Sequence, residues 1–276
     1  SFIPAVMLTL ADKLHLGCIW TLDVFALVLN ILLIIAIALR TPQVRRPYSM
    51  FLLNNAIIDL ISALTSALGS VRVVVNHEGS SIVFVFLGPC SIVDDNLCRL
   101  CHALHVHLVQ QSSIVLLLSF AYRLHILGDA SAFPQPPPPL RIFILCLLSL
   151  VLSVPQTVGH YFELAIVPAA VLQRLNLDGY TASSFSSFGT TRSIVLISSD
   201  IIISPVVIIM IFFVRRKLLE RIALAQPSEK RHHVFIARAL TYQMLLPLGV
   251  SVGAGLWLLD FAQIWSNQFA ERFIML

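Results

Sequence analysis

The 276-residue chain is 58% hydrophobic and only 12% charged, with a mean hydropathy of +0.89. Soluble domains carry about 25% charged residues, so the balance excludes an ordinary water-soluble protein and indicates a membrane protein. The formal net charge of +4 does not point to nucleic acid, because the basic residues flank apolar runs and are not interleaved with exposed aromatics.

Residues 1–16 lack the basic head and small-residue cleavage site of a secretory signal, so the first apolar span is expected to serve as its own insertion signal. Runs of about 20 apolar residues, the length that crosses a bilayer, lie near 17–39, 49–75, 97–122, 142–166, 193–214 and 235–261. Hydrocarbon offers no partner to backbone polar groups, and the period-2 alternation of barrel strands is absent, so these runs are read as helices. The expected fold is an all-α polytopic helix bundle forming a single transmembrane domain. After Asp260 the chain runs FAQIWSNQFAERFIML and stops, where a seventh span is expected to begin.

Charge position sets the orientation. The first connection holds Arg40, Arg45 and Arg46, the second is flanked by Arg123 and Arg141, and the third holds Arg215, Arg216, Lys217, Arg221, Lys230 and Arg231. With Arg238, these are 12 of the 18 Lys and Arg residues, which places the three connections in the cytoplasm and the N-terminus outside. The proline run 136–139 reads as a stiff extended spacer. The outer connections before the third and fifth spans are longer and less basic, and a long loop of this kind can cover a cavity.

Polar residues inside spans face a bundle interior, because an unpaired charge in hydrocarbon costs several kcal/mol. Asn30, Asp59, Asp200 and Asp260 are of this kind, and Asn30 and Asp59 stand on neighbouring spans where they can share a polar network or act as packing glue. Pro155, Pro205 and Pro247 interrupt the fourth, fifth and sixth spans, each removing a helix hydrogen bond. His102, His105 and His107 sit in the third span, with His102 and His105 on one helix face. No acidic residue accompanies them and no His-Glu-x-x-His occurs, so they are read as pocket lining or polar packing, with no metal and no cofactor expected.

Cys90, Cys98 and Cys101 cluster at the outer end of the third span, where oxidation is permitted. Cys90 with Cys98 is the favoured pair, Cys101 one turn on is the alternative partner, and the loop 167–192 has no cysteine to offer. Between Cys98 and Arg123 the third span rises about 37 Å at ~1.5 Å per residue, about the depth of a membrane.

An outer N-terminus, this Cys-to-Arg spacing, an Asn in the first span and an Asp in the second together resemble a G-protein-coupled receptor. More narrowly, RTPQVRRPYSMFLLNNAIIDL, GPC followed by LCRLCHALHVH, SFAYRLHIL and ALTYQMLLPLGV look like the nematode serpentine chemoreceptors of the srd class and its str relatives. The resemblance implies a seven-helix receptor in the plasma membrane, with the sensory cilium a candidate address. Its implied partners are a small-molecule chemical cue, a heterotrimeric G protein and the lipid bilayer. Tyr122-Arg123 fits the family's pair, while Ala121 replaces the acid that holds the arginine in other receptors, leaving Asp129 or Glu220 as candidate substitutes. Gln243 and Pro247 keep the worm-type sixth-helix pattern but lack the aromatic switch of rhodopsin-like receptors.

The resulting assignment places ligand contacts at His102, His105, Ser199, Asp200 and Trp257, in the outer halves of their spans. Tyr122, Arg123, Arg215, Arg216 and Lys217 face the G protein, and Asn30, Asp59, Gln243 and Pro247 form the polar switch. The competing reading is a secondary transporter coupled through Asp59, Asp200 and Asp260, which predicts an internal repeat that the two halves do not show. An enzyme is not expected: no Gly-x-Ser-x-Gly is present to supply a positioned nucleophile.

Overall fold

In a bilayer the chain must satisfy its own amides and carbonyls, and the long apolar runs accordingly close into helices. The computed structural model describes residues 8–40, 46–76, 81–128, 139–185, 191–224, 234, 238 and 241–261. Its long helices are α1 (Leu10–Arg40), α2 (Arg46–Gly69), α4 (Asp95–Gly128), α5 (Pro139–Glu163) and α7 (Thr191–Leu224). These five are long and apolar enough to cross a membrane. Shorter helices are α3 (Cys90–Val93), α6 (Ala169–Arg174) and α8 (Leu245–Phe261).

The expected sixth span is helical where it is described, but the helical path breaks at Met244 before α8 begins. Pro247 has no N–H to give the carbonyl of Gln243, and the chain makes a tighter turn there, Met244 N–H donating to Thr241 O at 3.2 Å. Pro155 and Pro205 differ: both lie inside helices that run on without a break.

One end of the bundle carries a four-stranded antiparallel sheet, ordered β1 (Val71–Asn76), β2 (Ser81–Phe86), β4 (Thr181–Phe185), β3 (Leu164–Ile166). Val73 pairs with Phe84, Val85 with Ala182, and Ala165 with Ser184. Two expected spans therefore end early. The run near 49–75 leaves the helix at Gly69, and that near 142–166 leaves it at Glu163. The cause in the first case is local. Ser70 takes a left-handed φ of 40°, and the β-branched run Val71, Val73, Val74, Val75 then prefers a pleated surface.

The sheet reads as membrane-like because both of its faces are buried, which removes the usual alternation of apolar and polar residues. One face packs Val71, Val73, Phe84, Phe86, Leu164 and Phe185 against Cys90 and Cys98. The other packs Val83, Val85 and Ala182 against Val167 and Leu177, near the loop that follows α6. The Cys90–Cys98 disulfide, Cα atoms 5.1 Å apart, ties α3 to the first turn of α4 beneath the sheet. Of the described cysteines, Cys101 and Cys146 are buried and free, and Cys18 is exposed and free.

A polar junction fastens α1 to the sheet. Arg72 Nη1 donates to Asp12 Oδ1 at 2.6 Å, the Tyr180 hydroxyl donates to Asp12 Oδ2 at 3.1 Å, and the Thr9 hydroxyl donates to the same Oδ2 at 2.7 Å. Asp12 is fully buried, so the guanidinium and hydroxyls replace the water it has lost. Burial, and then the Asp12 charge, push the Tyr180 phenol above its ordinary value.

Two substitutions test this end of the molecule. A Cβ at Gly88 would lie 2.3 Å from the Leu68 carbonyl oxygen, whereas one at Gly69 meets side-chain atoms no closer than 3.6 Å. Gly88→Ala is expected to cost about 1–3 kcal/mol and to lower the melting temperature of the purified protein, with Gly69→Ala staying near wild type. Tyr180→Phe is expected to cost about 1–3 kcal/mol at neutral pH, the value of a hydrogen bond to a charged group. A raised phenol stabilises the fold fully below the unfolded value near pH ~10 and loses that contribution as pH rises through the folded value. The variant should therefore show a flatter alkaline limb in a melting-temperature scan, and an unchanged limb would remove Tyr180 from the junction.

Candidate ligand site and coupling end

Helix α4 crosses the whole bundle and positions both candidate sites. It packs on α2, α5 and α7, and its polar side chains point inward. Near the sheet, His102 is 2% exposed. Its ring lies 4.4 Å from Phe84, 6.3 Å from Phe86 and 5.3 Å from His160, centroid to centroid. Neither of its ring nitrogens has a hydrogen-bond partner among the described residues. His105 Nδ1 approaches Ser62 O at 3.1 Å and Ser62 Oγ at 3.2 Å.

His102 and His105 line a cavity together with Ile19, Thr65, Ser66 and Val71, under the first residue of β1. Its volume is about 10 Å³, the space one water needs. Drug-sized ligands occupy hundreds of Å³, so anything larger than a small head group must part the helices here.

The expected ligand residues are only partly brought together. Ser199 does not line this cavity; on α7 it accepts from Gln156 Nε2 at 3.2 Å and donates to Leu196 O at 2.7 Å. Asp200 and Trp257 lie on α7 and α8, with side chains outside the described residues, as is that of Asp260. His160 was not expected at the site. It is 3% exposed and stacks edge-on between His102 and His107, each 5.3 Å away. Only its place one turn from the end of the fourth expected span, α5, hinted at it, and a lone histidine there is a weak signal. No group of three or more His, Cys, Asp or Glu able to hold a metal occurs among the described residues.

Midway along the bundle, no hydrogen bond joins Asn30 to Asp59. Asn30 Nδ2 instead donates to Ala26 O on its own helix at 3.0 Å, which satisfies it without a neighbour. Asp59 receives Asn55 Nδ2 at 2.8 Å, and Asn55 Oδ1 receives Ser112 Oγ at 3.2 Å, so the polar link runs from α2 to α4. Asn55 was the missed member, being masked in the sequence by its neighbour Asn54.

At the far end of α4, Tyr122 is half-buried against Phe51, rings 5.3 Å apart, and Arg123 is half-buried beside it. Glu220 does not stand in for the acid lost at Ala121. It accepts from Arg216 Nε at 3.2 Å on the exposed face of α7, and Asp129 lies outside the described residues. Arg215 Nε donates to Thr241 Oγ1 at 2.9 Å, tying α7 to the start of the sixth span. Lys217 is exposed, Gln243 half-buried and Pro247 buried.

Comparison with known proteins places this architecture. A family model described as serpentine type 7TM GPCR chemoreceptor Srd matches residues 17–276. The chain is similar to three proteins of Caenorhabditis elegans. It is 26% identical to serpentine receptor class delta-1 over 253 residues, covering 85% of this chain and 66% of that protein. It is 26% identical to class delta-3 over 262 residues, covering 88% and 74%, and 26% identical to class delta-2 over 268 residues, covering 89% and 71%. The chain thus spans about two thirds to three quarters of the length of these relatives. With a family match over nearly its whole length and five apolar helices of membrane-crossing size, the chain is a multi-pass membrane protein that belongs to the Srd family of serpentine chemoreceptors.

Proposed function

We propose that this chain is a chemosensory receptor of the plasma membrane that detects a small molecule from outside and activates a heterotrimeric G protein. The observation that carries the reading is α4 itself, with the disulfide-bonded Cys98 at its sheet end and Tyr122-Arg123 at the other. A disulfide belongs on the oxidising side of a membrane. The opposite end gathers Arg123, Arg141, Arg215, Arg216 and Lys217, as cytoplasmic ends do. Both signals support an orientation with the sheet and the N-terminus outside, and in this reading His102 and His105 under the sheet are the ligand contacts.

A ligand can drive signalling only by binding one arrangement of the helices better than another. The arrangement that admits a G protein separates the inner ends of α4, α7 and the sixth span. Arg123 then supplies the cation that contacts the G protein, and Arg215–Lys217 flank it. Asn55, Asp59 and Ser112 form the polar link that rearranges between, with Gln243 and Pro247 marking the break in the sixth span.

Two variants test this reading in full-length receptor in cells. Arg123→Ala should abolish cue-stimulated G-protein activation with surface expression retained, and normal signalling would remove Arg123 from the coupling surface. Thr241→Val deletes the acceptor for Arg215 and one hydrogen bond of about 0.5–1.5 kcal/mol. Ligand-independent signalling should rise roughly 2- to 10-fold, and an unchanged basal level would show that the Arg215–Thr241 contact does not hold the closed arrangement.

A further inference from the structure

We propose that the cavity beneath β1 takes the carboxyl head of a small aliphatic carboxylic acid, bound with its proton, between His102 and His105. The proposal deepens the receptor reading and rests on it for the ligand's biological role.

The hydrogen-bonding pattern of the two imidazoles is complementary to that group. His105 Nδ1 lies 3.1 Å from the Ser62 carbonyl, which can only accept, and 3.2 Å from the Ser62 hydroxyl, which can also accept, so a proton on Nδ1 satisfies both contacts. That leaves His105 Nε2 as an acceptor. His102 has no such constraint: neither of its nitrogens has a hydrogen-bond partner among the described residues, at 2% exposure. A neutral imidazole carries one N–H and one lone pair, so His102 supplies the donor that His105 lacks. A carboxyl in its acid form offers one O–H donor and one carbonyl acceptor. Its O–H donates to His105 Nε2 and its carbonyl accepts from the N–H of His102.

The two rings stand at i and i+3 on α4, the spacing that puts side chains on one face. Both line a space that holds one water-sized group, so seating the carboxyl head and its carbon chain parts the helices along the apolar walls Ile19 and Val71. A buried polar group left unmatched is costly, and the acid supplies its partners.

The ionisable surroundings favour the neutral acid over its anion. His102 has His105 and His107 from its own helix and His160 from α5 as electrostatic neighbours, with no carboxylate and no arginine among them. β2 presents Phe84 and Phe86, and α2 presents Thr65 and Ser66. On the α1 side, the carboxyl of Asp23 interacts with Ser66 and supplies no cation. Further along α5, Glu163 is held by Ser193 at 3.0 Å and Arg192 at 3.4 Å. His15, also on α1, brings its Nε2 to 3.3 Å from Val71 O. No lysine or arginine lines the cavity, so an anion would have to draw a proton onto an imidazole, and burying an unpaired charge is costly.

The test uses the chain reconstituted in lipid nanodiscs, with hexanoic acid, hexanamide and methyl hexanoate as probes and thermal shift as the readout. The amide keeps the donor and acceptor but does not ionise; the ester keeps only acceptors. Acid and amide are expected to raise the melting temperature, and the ester is not. Each acid bound takes up one proton above the range of carboxyl groups near pH ~4, so raising pH from about 5.5 to about 7.5 should weaken the acid roughly 100-fold. The amide should not change. His102→Phe, which joins Phe84 and Phe86, and His105→Gln should each abolish both responses; the second variant serves if the first does not fold. Binding of the ester, a pH-independent response to the acid, or full binding by both variants would overturn the site. Acid binding that never activates a G protein in full-length receptor would support the site and overturn the receptor reading. Signalling to another cue by a receptor blind to the acid would overturn the site alone.

Discussion

The polar side chains of α4 dictate where every other helix stands. His102, His107, Gln110, Gln111, Ser112, Ser113 and Ser119 are all buried along this one helix. Facing lipid, each would lose its water without replacement, at a cost of several kcal/mol for the ionisable ones. The helix must therefore be surrounded, and α2, α5 and α7 surround it with the sheet closing one end. Helix α1 is the contrast. Beyond Asp12 and His15 at its sheet end, it turns Leu22, Phe25, Leu29 and Leu32 outward and takes a peripheral place.

Partners for the buried polar groups are found across helix pairs. Gln111 Nε2 donates to Ser149 Oγ on α5, Ser112 to Asn55 on α2, and His105 to Ser62 on α2. Such contacts are worth about 1 kcal/mol each in membranes, so apolar packing supplies the bulk of the adhesion. Phe51, Ile58, Val115 and Ile142 join α2, α4 and α5; Leu116, Phe120, Ile211, Leu218 and Met244 join α4, α7 and the sixth span. The polar contacts fix rotation, since only one face of α4 can meet all its acceptors at once.

Hydropathy made the helices legible in the sequence because 20 apolar residues have one solution in a bilayer. It could not reveal the sheet. Val71–Val75 and Leu164–Ile166 continue the apolar composition of the helices before them, and a strand buried on both faces carries no alternation to expose it. The stop signals were a serine at left-handed φ and Gly88, whose backbone nears Leu68, neither of which is unusual as a letter. The site was half legible for a similar reason. His102 and His105 share a face at a spacing that a helix makes obvious, whereas His160 meets them through tertiary packing. Asn30 and Asp59 sat on adjacent helices as expected, yet an intrahelical carbonyl satisfied the asparagine first.

Under the receptor reading, the two ends of α4 communicate only if some packed element has two arrangements that both sites bias. The sheet end resists motion. The disulfide fixes α3 to α4, and Asp12 is held from α1, β1 and the loop before β4. At the other end, Arg215 binds a neutral hydroxyl in place of a carboxylate. A hydroxyl acceptor forfeits the charge-assisted half of the bond, so opening there costs less than breaking an ion pair. The helix break at Met244 would be the hinge in this reading, because the residues before Pro247 lack a continuous ladder of helix hydrogen bonds. In the receptor proposed above, a sheet end fastened by a disulfide and an ion pair would pass a displacement of α4 toward its basic end.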